Sequence, residues 1–302
     1  MVIALLCASL FVPPADSAVL LIRVLDVSDA RIGGDAILIT DSAGGRARHI
    51  LIDASDLGRT IVTKLRHFHV DTLAALILSH PHANPYGGMD EVLDAFPVRA
   101  FIYGGTPHGA STYLALLRRV AALRIPTVTA DTGVRHVQLV TETDTVTLAV
   151  LAPPPDCANI AGSATGHDIN DCSIGVRLSR GTFTALFPGD AEDAEFAWWM
   201  MTQPALLEAD VLKASDHGSS SGTSATVLDV VKPEAVLISA NGRQQPLKHV
   251  LNLLTARGLP TYCTADNGTI TVRVPRDGGW KVTAERSGKC HPHRELTTGS
   301  LP

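Results

Sequence analysis

Residues 79–88 read S-H-P-H-A-N-P-Y-G-G, directly after the apolar run Leu73–Leu78 (L-A-A-L-I-L). An unbroken apolar run of that length reads as a strand buried on both faces. His80 and His82 leave its end. In extended backbone, residues i and i+2 point to the same side, so the two imidazoles can meet at one metal ion. Positions 84 and 85, where a second ion would look for ligands, hold Asn84 and Pro85. A neutral amide replaces a charge there, and Pro85 offers no side-chain donor while biasing Asn84 toward extended backbone.

Working outward, other polar residues also sit at strand ends. Asp53 closes I-L-I-D. Asp190 closes F-P-G-D after 183–187, with Gly189 permitting a sharp turn. Asp216 and His217 follow 209–213 in K-A-S-D-H-G-S, and Asn170 and Asp171 precede 173–178 in N-D-C-S. Loops at a sheet edge can gather such groups from distant parts of a chain. A catalytic zinc takes three protein N/O ligands and leaves a place for water, whose pKa falls toward ~7. His80, His82 and Asp190 make such a set, and His217 is a fourth candidate ligand. Asp216 is a candidate carboxylate ligand or general base. Asp53 reads as a structural acceptor beneath the histidine loop. The remaining histidines lack a matching strand end, except His167, whose G-H-D-I-N-D loop would face the cleft.

Elsewhere, strands and helices alternate. Strands are expected at 19–27, 35–40, 49–53, 73–78, 98–103, 145–151, 173–178, 183–187, 209–213, 235–239, 261–264 and 269–274. Helices are expected at 57–69, 89–96, 111–123, 192–201, 224–231 and 246–257. That succession fits two mixed sheets faced by helices, and no Pro/Gly/Ser linker divides it.

Composition narrows the function. The 302 residues are 45% hydrophobic and 18% charged, which is globular, and the net charge of −5 argues against extended nucleic-acid binding. Arg118, Arg119 and Arg124 read as the solvated face of a helix. Residues 1–18 carry an apolar run of signal-peptide length but no basic start, so a buried first strand or a misplaced start codon is the alternative. No other run approaches the ~20 apolar residues of a membrane span. With that leader removed, Cys157, Cys172, Cys263 and Cys290 remain, either as free thiols or as two disulfides. Proximity favours Cys157–Cys172 and Cys263–Cys290.

The order of these motifs resembles the metallo-β-lactamase fold superfamily, above all the soluble hydrolase domain of ComEC-type DNA-uptake proteins. That family shows L-D-V-G-Q-G-D-A, L-I-D, S-H-P-H-A-D-H-x-G-G, N-D-N-S, T-G-D and H-H-G-S. The counterparts here are L-D-V-S with G-G-D-A-I-L-I (25–39), L-I-D (51–53), the 79–88 stretch, N-D-C-S (170–173), P-G-D (188–190) and D-H-G-S (216–219). The resemblance implies an α/β four-layer αββα sandwich over residues 19–285, followed by a polar tail at 286–302. It implies a first metal on His80, His82 and Asp190, with Asp190 bridging to a second held by the D-H pair and His217; with Asn84-Pro85 in place of that pair, one divalent ion, zinc or manganese, is expected. Asn84, Pro85 and Asp216 depart from the pattern, as does Gln245-Pro246-Leu247, where the family has H-P-H. All of these fall on the second ion and the substrate side. The leader and the motifs together point to an exported hydrolase of phosphodiester or related ester bonds, the substrate class coming from the resemblance; Asp190 and Asp216 are the candidate catalytic residues, and Asn170 and Asn84 the candidate contacts of a small-molecule or phosphodiester substrate. The competing reading is a binding protein that kept the fold and lost turnover. A β-lactamase or small-ester hydrolase is disfavoured because that branch's third histidine corresponds to Asn170.

Overall fold

A computed structural model describes residues 18–31, 33–43, 46–130, 134–141, 144–160, 166–276 and 279–292. The leader at 1–17, and the tail from 293 onward, lie outside the described residues.

The strands form two mixed sheets. The first contains β1 (Val19–Val24), β2 (Ile37–Ala43), β3 (Arg46–Ile52), β4 (Leu73–Leu78), β5 (Phe101–Tyr103) and β6 (Thr127–Thr129). The second contains β7 (Val134–Thr141), β8 (Asp144–Leu151), β9 (Gly175–Arg180), β10 (Phe183–Phe187), β11 (Val211–Lys213), β12 (Ala235–Ile238) and β13 (Thr261–Cys263). The chain then returns to the first sheet with β14 (Ile270–Pro275) and β15 (Lys281–Ala284), giving the order β15-β14-β1-β2-β3-β4-β5-β6. In each sheet an antiparallel meander switches to parallel pairing: β3 to β6 in the first, β10 to β13 in the second.

Three apolar clusters show why the layers stack. Alternate residues of β1 (Leu20, Ile22, Val24) and of β4 (Ala75, Ile77) meet Val176, Leu178 and Phe187 of the second sheet. The other face of β4 (Leu73, Leu76, Leu78) packs under α1 (Gly58–His67), α3 (Met89–Ala95) and α4 (Ser111–Ala122). Leu186 and Leu212 face the outer layer of α6 (Asp193–Thr202), α7 (Ala225–Val231) and α8 (Lys248–Ala256). Helix, sheet, sheet, helix is the αββα sandwich expected from the sequence. Each buried Leu or Ile contributes roughly 1.5–3 kcal/mol, so packing holds the scaffold on which the strand-end loops sit.

Three strands were not predicted from the sequence. β6 and β15 are short and partly exposed, without a core face to betray them. β7 pairs along its whole length with β8. A second difference concerns Asn84, which lies in a helical turn, α2 (Ala83–Tyr86), rather than in extended backbone. Proline is tolerated in a first helical turn, where its missing N–H has no intrahelical partner to lose.

Both expected disulfides are present. Cys157–Cys172 (Cα–Cα 5.6 Å) ties the 155–159 turn to the N-D-C-S loop that follows α5 (Gly166–Asn170). Cys263–Cys290 (5.4 Å) pins the segment after β15 to β13. Among the described residues, no helix is long and apolar enough to cross a membrane.

Candidate metal centre

The parallel strands β3, β4, β10, β11 and β12 deliver their following loops to one edge of the sandwich. Asp53 ends β3 and its Oδ1 accepts the Ser79 N–H at 2.8 Å, anchoring the start of the histidine loop. His80 Nε2 and His82 Nδ1 then lie 3.1 Å apart. Ser79 Oγ, 3.0 Å from His80 Nδ1, fixes the His80 ring. From the second sheet, Asp190 Oδ2 reaches to 3.5 Å of His80 Nε2. The Asp190 turn needs Gly189 (φ +63), because a Cβ there would stand 3.0 Å from that of Ser79.

His217 arrives by a different route. Asp216 and His217 both adopt left-handed backbone (φ 44 and 54), which costs about 1–2 kcal/mol per residue. The Thr223 hydroxyl donates to the Ser215 carbonyl at 3.0 Å and the Ser219 N–H to the Asp216 carbonyl at 2.9 Å, holding the turn. His217 Nδ1 donates to the Ser239 carbonyl at 2.8 Å. That leaves Nε2 for Asp190 Oδ2 at 3.4 Å and the Asn84 amide at 3.3 Å. Leu247 of the 245–247 segment donates its N–H to the Gly218 carbonyl at 3.2 Å, placing that segment against the same turn.

Two members of the cluster escaped the sequence reading. Lys213, the last residue of β11, is fully buried. Its ammonium pairs with Asp35 Oδ2, donates to the Gly189 carbonyl at 2.8 Å and lies 3.4 Å from Asp190 Oδ1. Asp35 Oδ1 lies 3.6 Å from His217 Nδ1 and has no hydrogen-bond partner among the described residues. Asp35 is brought there by Gly34 (φ +114), where a Cβ would stand 2.3 Å from the Asn84 carbonyl oxygen. The signal for Lys213 was a charge ending an apolar strand, which needs a buried partner. The signal for Asp35 was its place in G-G-D-A.

The charges follow from these neighbours. Burial pushes His80 down to about 3, so it is neutral and its lone pair is free. Burial also lowers His82. For His217 burial again opposes charge, but Asp190 and then Asp35 outweigh it and hold the imidazole up to about 9. Burial alone would raise Asp190; His217, His80 and Lys213 together keep it well below the usual carboxylate range. Asp216 is raised to about 6 by burial and then by Asp190, and Asp53 to about 8 by burial and then Asp35.

Ligand atoms on a tetrahedral ion with bonds of 2.0–2.1 Å stand about 3.3 Å from one another. Pair by pair, the 3.1, 3.5 and 3.4 Å separations from His82 to His80, His80 to Asp190 and Asp190 to His217 match that spacing. Among the described residues, the three whose ligand atoms all lie within 4.8 Å of one another are Asp35, Asp190 and His217. Lys213 already sits between the two carboxylates of that second set. Asn170 donates to Glu192 Oε1 at 2.8 Å and lies near His82. The side chain of His167 lies outside the described residues.

No family model matches the sequence. Over 107 residues the chain is 31% identical to ComE operon protein 3 of Bacillus subtilis (strain 168), covering 34% of this chain and 14% of that protein. CmlA, a diiron β-hydroxylase from Streptomyces venezuelae, aligns with a TM-score of 0.52 at 11% identity, over 84% of this chain and 54% of its own. The chain shares the fold of that protein, the two-sheet αββα sandwich that the metallo-β-lactamase resemblance of the sequence implied. A metallo-β-lactamase of Cronobacter sakazakii bearing an HARLDQ motif aligns at TM-score 0.36 and 15% identity, over 60% of this chain and 66% of its own. The metallo-β-lactamase fold by itself does not choose a reaction, since function resides in the site it carries.

Proposed function

We propose that the chain is a metal-dependent hydrolase of phosphodiester or related ester bonds, working with one divalent ion, zinc or manganese. The reading is carried by the approach of His80 Nε2 to His82 Nδ1 and Asp190 Oδ2, at 3.1 and 3.5 Å. Those three residues would hold the ion, with His217 beside them. When bound, the ion supplies an acidified water and stabilises charge on the substrate oxygen. The chain's own groups do the rest. Asp216, with a pKa of about 6, is suited to take up a proton near neutral pH. Lys213 supplies a fixed positive charge between Asp35 and Asp190, where a second ion would otherwise be needed. Asn84 and Asn170 border the place a substrate would occupy. The two disulfides favour an exported protein in an oxidising compartment.

A second reading, a binding protein without turnover, draws on the same Lys213 and on Asn84-Pro85. Elemental analysis of the dialysed protein, beside hydrolysis of an activated phosphodiester, separates the two. We expect about one ion per chain, lost in His80→Ala/His82→Ala with the circular dichroism unchanged; two tightly held ions, or none, reject the one-metal site. Asn84→Asp with Pro85→His should add an ion. Added metal without added hydrolysis favours the binding protein.

A further inference from the structure

The loop after β5 opens at the same sheet edge as the histidine loop, and between it and α4 lies a cavity of about 400 Å³. Tyr103, Thr106, His108, Tyr113, Leu114 and Leu117 line it, and among the described residues no Asp, Glu, Lys or Arg does. Tyr103, Thr106 and Tyr113 also line a crevice too narrow for water whose far wall is Ser79, His80 and Pro81. The cavity therefore adjoins the candidate centre.

Its lining selects among occupants. A cavity of about 150 Å³ is enough for benzene, so this one admits a group of one or two rings, while a charged group would find no counter-ion on its walls. Tyr113 and His108 meet edge to face, their centroids 6.0 Å apart, and offer a ring the same geometry. Leu114 is 40% exposed, an apolar side chain open to solvent at the cavity mouth, while Thr106 and Tyr113 form its buried wall. At the crevice, Tyr113 Oη donates to the Thr106 carbonyl at 3.2 Å, but the buried Thr106 hydroxyl has no hydrogen-bond partner among the described residues. An unpaired buried hydroxyl is unfavourable, and a polar ring atom reaching it would supply the missing partner.

We propose that this cavity is the subsite for a flat, uncharged ring with a polar edge, carried by the substrate whose reacting bond lies at His80 and His82. It rests on the metal-hydrolase reading and names the part of the substrate that the centre itself does not grip.

Isothermal titration of the zinc-loaded full chain with phenylphosphonate, methylphosphonate and benzamide tests it. Phenylphosphonate should bind about tenfold more tightly than methylphosphonate through the buried ring, and benzamide should bind by itself. A Cβ at Gly109 would meet nothing within 4 Å, so Gly109→Phe can place a ring in the cavity without disturbing the fold. It should bring the two phosphonates to equal affinity and leave methylphosphonate unchanged. Thr106→Val should weaken benzamide. Equal affinities in the wild type, with no benzamide bound, overturn the subsite and leave the hydrolase reading standing. Benzamide bound and displaced by Gly109→Phe, with neither phosphonate bound, supports the ring site and rejects the phosphoryl centre beside it. No binding of any probe rejects both.

Discussion

His80 and His217 are both buried imidazoles at the ends of parallel strands, one from each sheet, and their basicities run in opposite directions. His80 is pushed down to about 3 and His217 up to about 9. Burial disfavours the proton on each, so burial does not make the difference. The difference lies in the neighbours. His80 faces a single carboxylate, Asp190, opposed by His82, His217 and Lys213, whereas His217 stands between Asp190 and Asp35. The first loop presents neutral donors on relaxed backbone. The second presents charge on left-handed backbone and needs braces. Imidazole chemistry at one site is thus divided by the placement of carboxylates, not by the choice of residue.

If the second side depends on its braces, removing them should cost more than comparable changes on the first. The largest effect should come from Lys213→Met, which strands two buried carboxylates and should cost about 3–5 kcal/mol in chemical denaturation. Asp35→Asn added to Lys213→Met should recover about 1 kcal/mol or more of that loss; a double variant as unstable as the sum of the singles would show that the charges are not coupled. Next, Cys157→Ser with Cys172→Ser releases a loop of sequence separation 15 and should cost about 3 kcal/mol in the chain-entropy model. Cys263→Ser with Cys290→Ser should cost a similar amount, yet only the first pair should weaken metal retention on dialysis, since only it braces the loop beside His82.

The smallest effect concerns Glu195, fully buried in α6, where Oε2 accepts the Ser173 N–H at 3.1 Å and Oε1 has no hydrogen-bond partner among the described residues. Burial, then Asp171, raises its pKa well above the usual 4.5. The unfolded chain gives up this proton first. The stabilisation is therefore complete below pH 4.5 and is lost as pH climbs from there toward the folded value. Glu195→Gln should flatten this decline, whose slope is at most about 1.4 kcal/mol per pH unit. An unchanged slope in thermal melts across that range would assign the decline to other groups.

The fold was legible because its strands are apolar runs whose ends carry chemistry. β4 and β10 match their expected bounds. Ser224, expected to open a helix, instead caps it, accepting the Val227 N–H at 3.3 Å. Elsewhere the pattern was too weak, as in β15, whose four residues never turn a fully buried face to the core. At the site, His80, His82, Asp190 and His217 were readable from the strand-end pattern and the family resemblance together, and the structure brings them together. Asp35 and Lys213 were not. Asp35 lies ahead of its strand, and Lys213 has its partners in the first two strands' turn and after β10. Nothing local in sequence joins a lysine to an aspartate that far away; only the packing of two sheets does.

The return of β14 to the first sheet also bears on how the chain folds as it is made. Val19 pairs with Pro275 and Val24 with Ile270, so one side of the opening strand waits for nearly the last described strand of the chain. Until then β1 carries an open edge beside Leu20, Ile22 and Val24, which belong to the inter-sheet core. Such a distant closure is slow, and an unpaired apolar edge is a template for a neighbouring copy. Fragments that stop short of residue 270 should therefore precipitate, and refolding yield should fall as protein concentration rises.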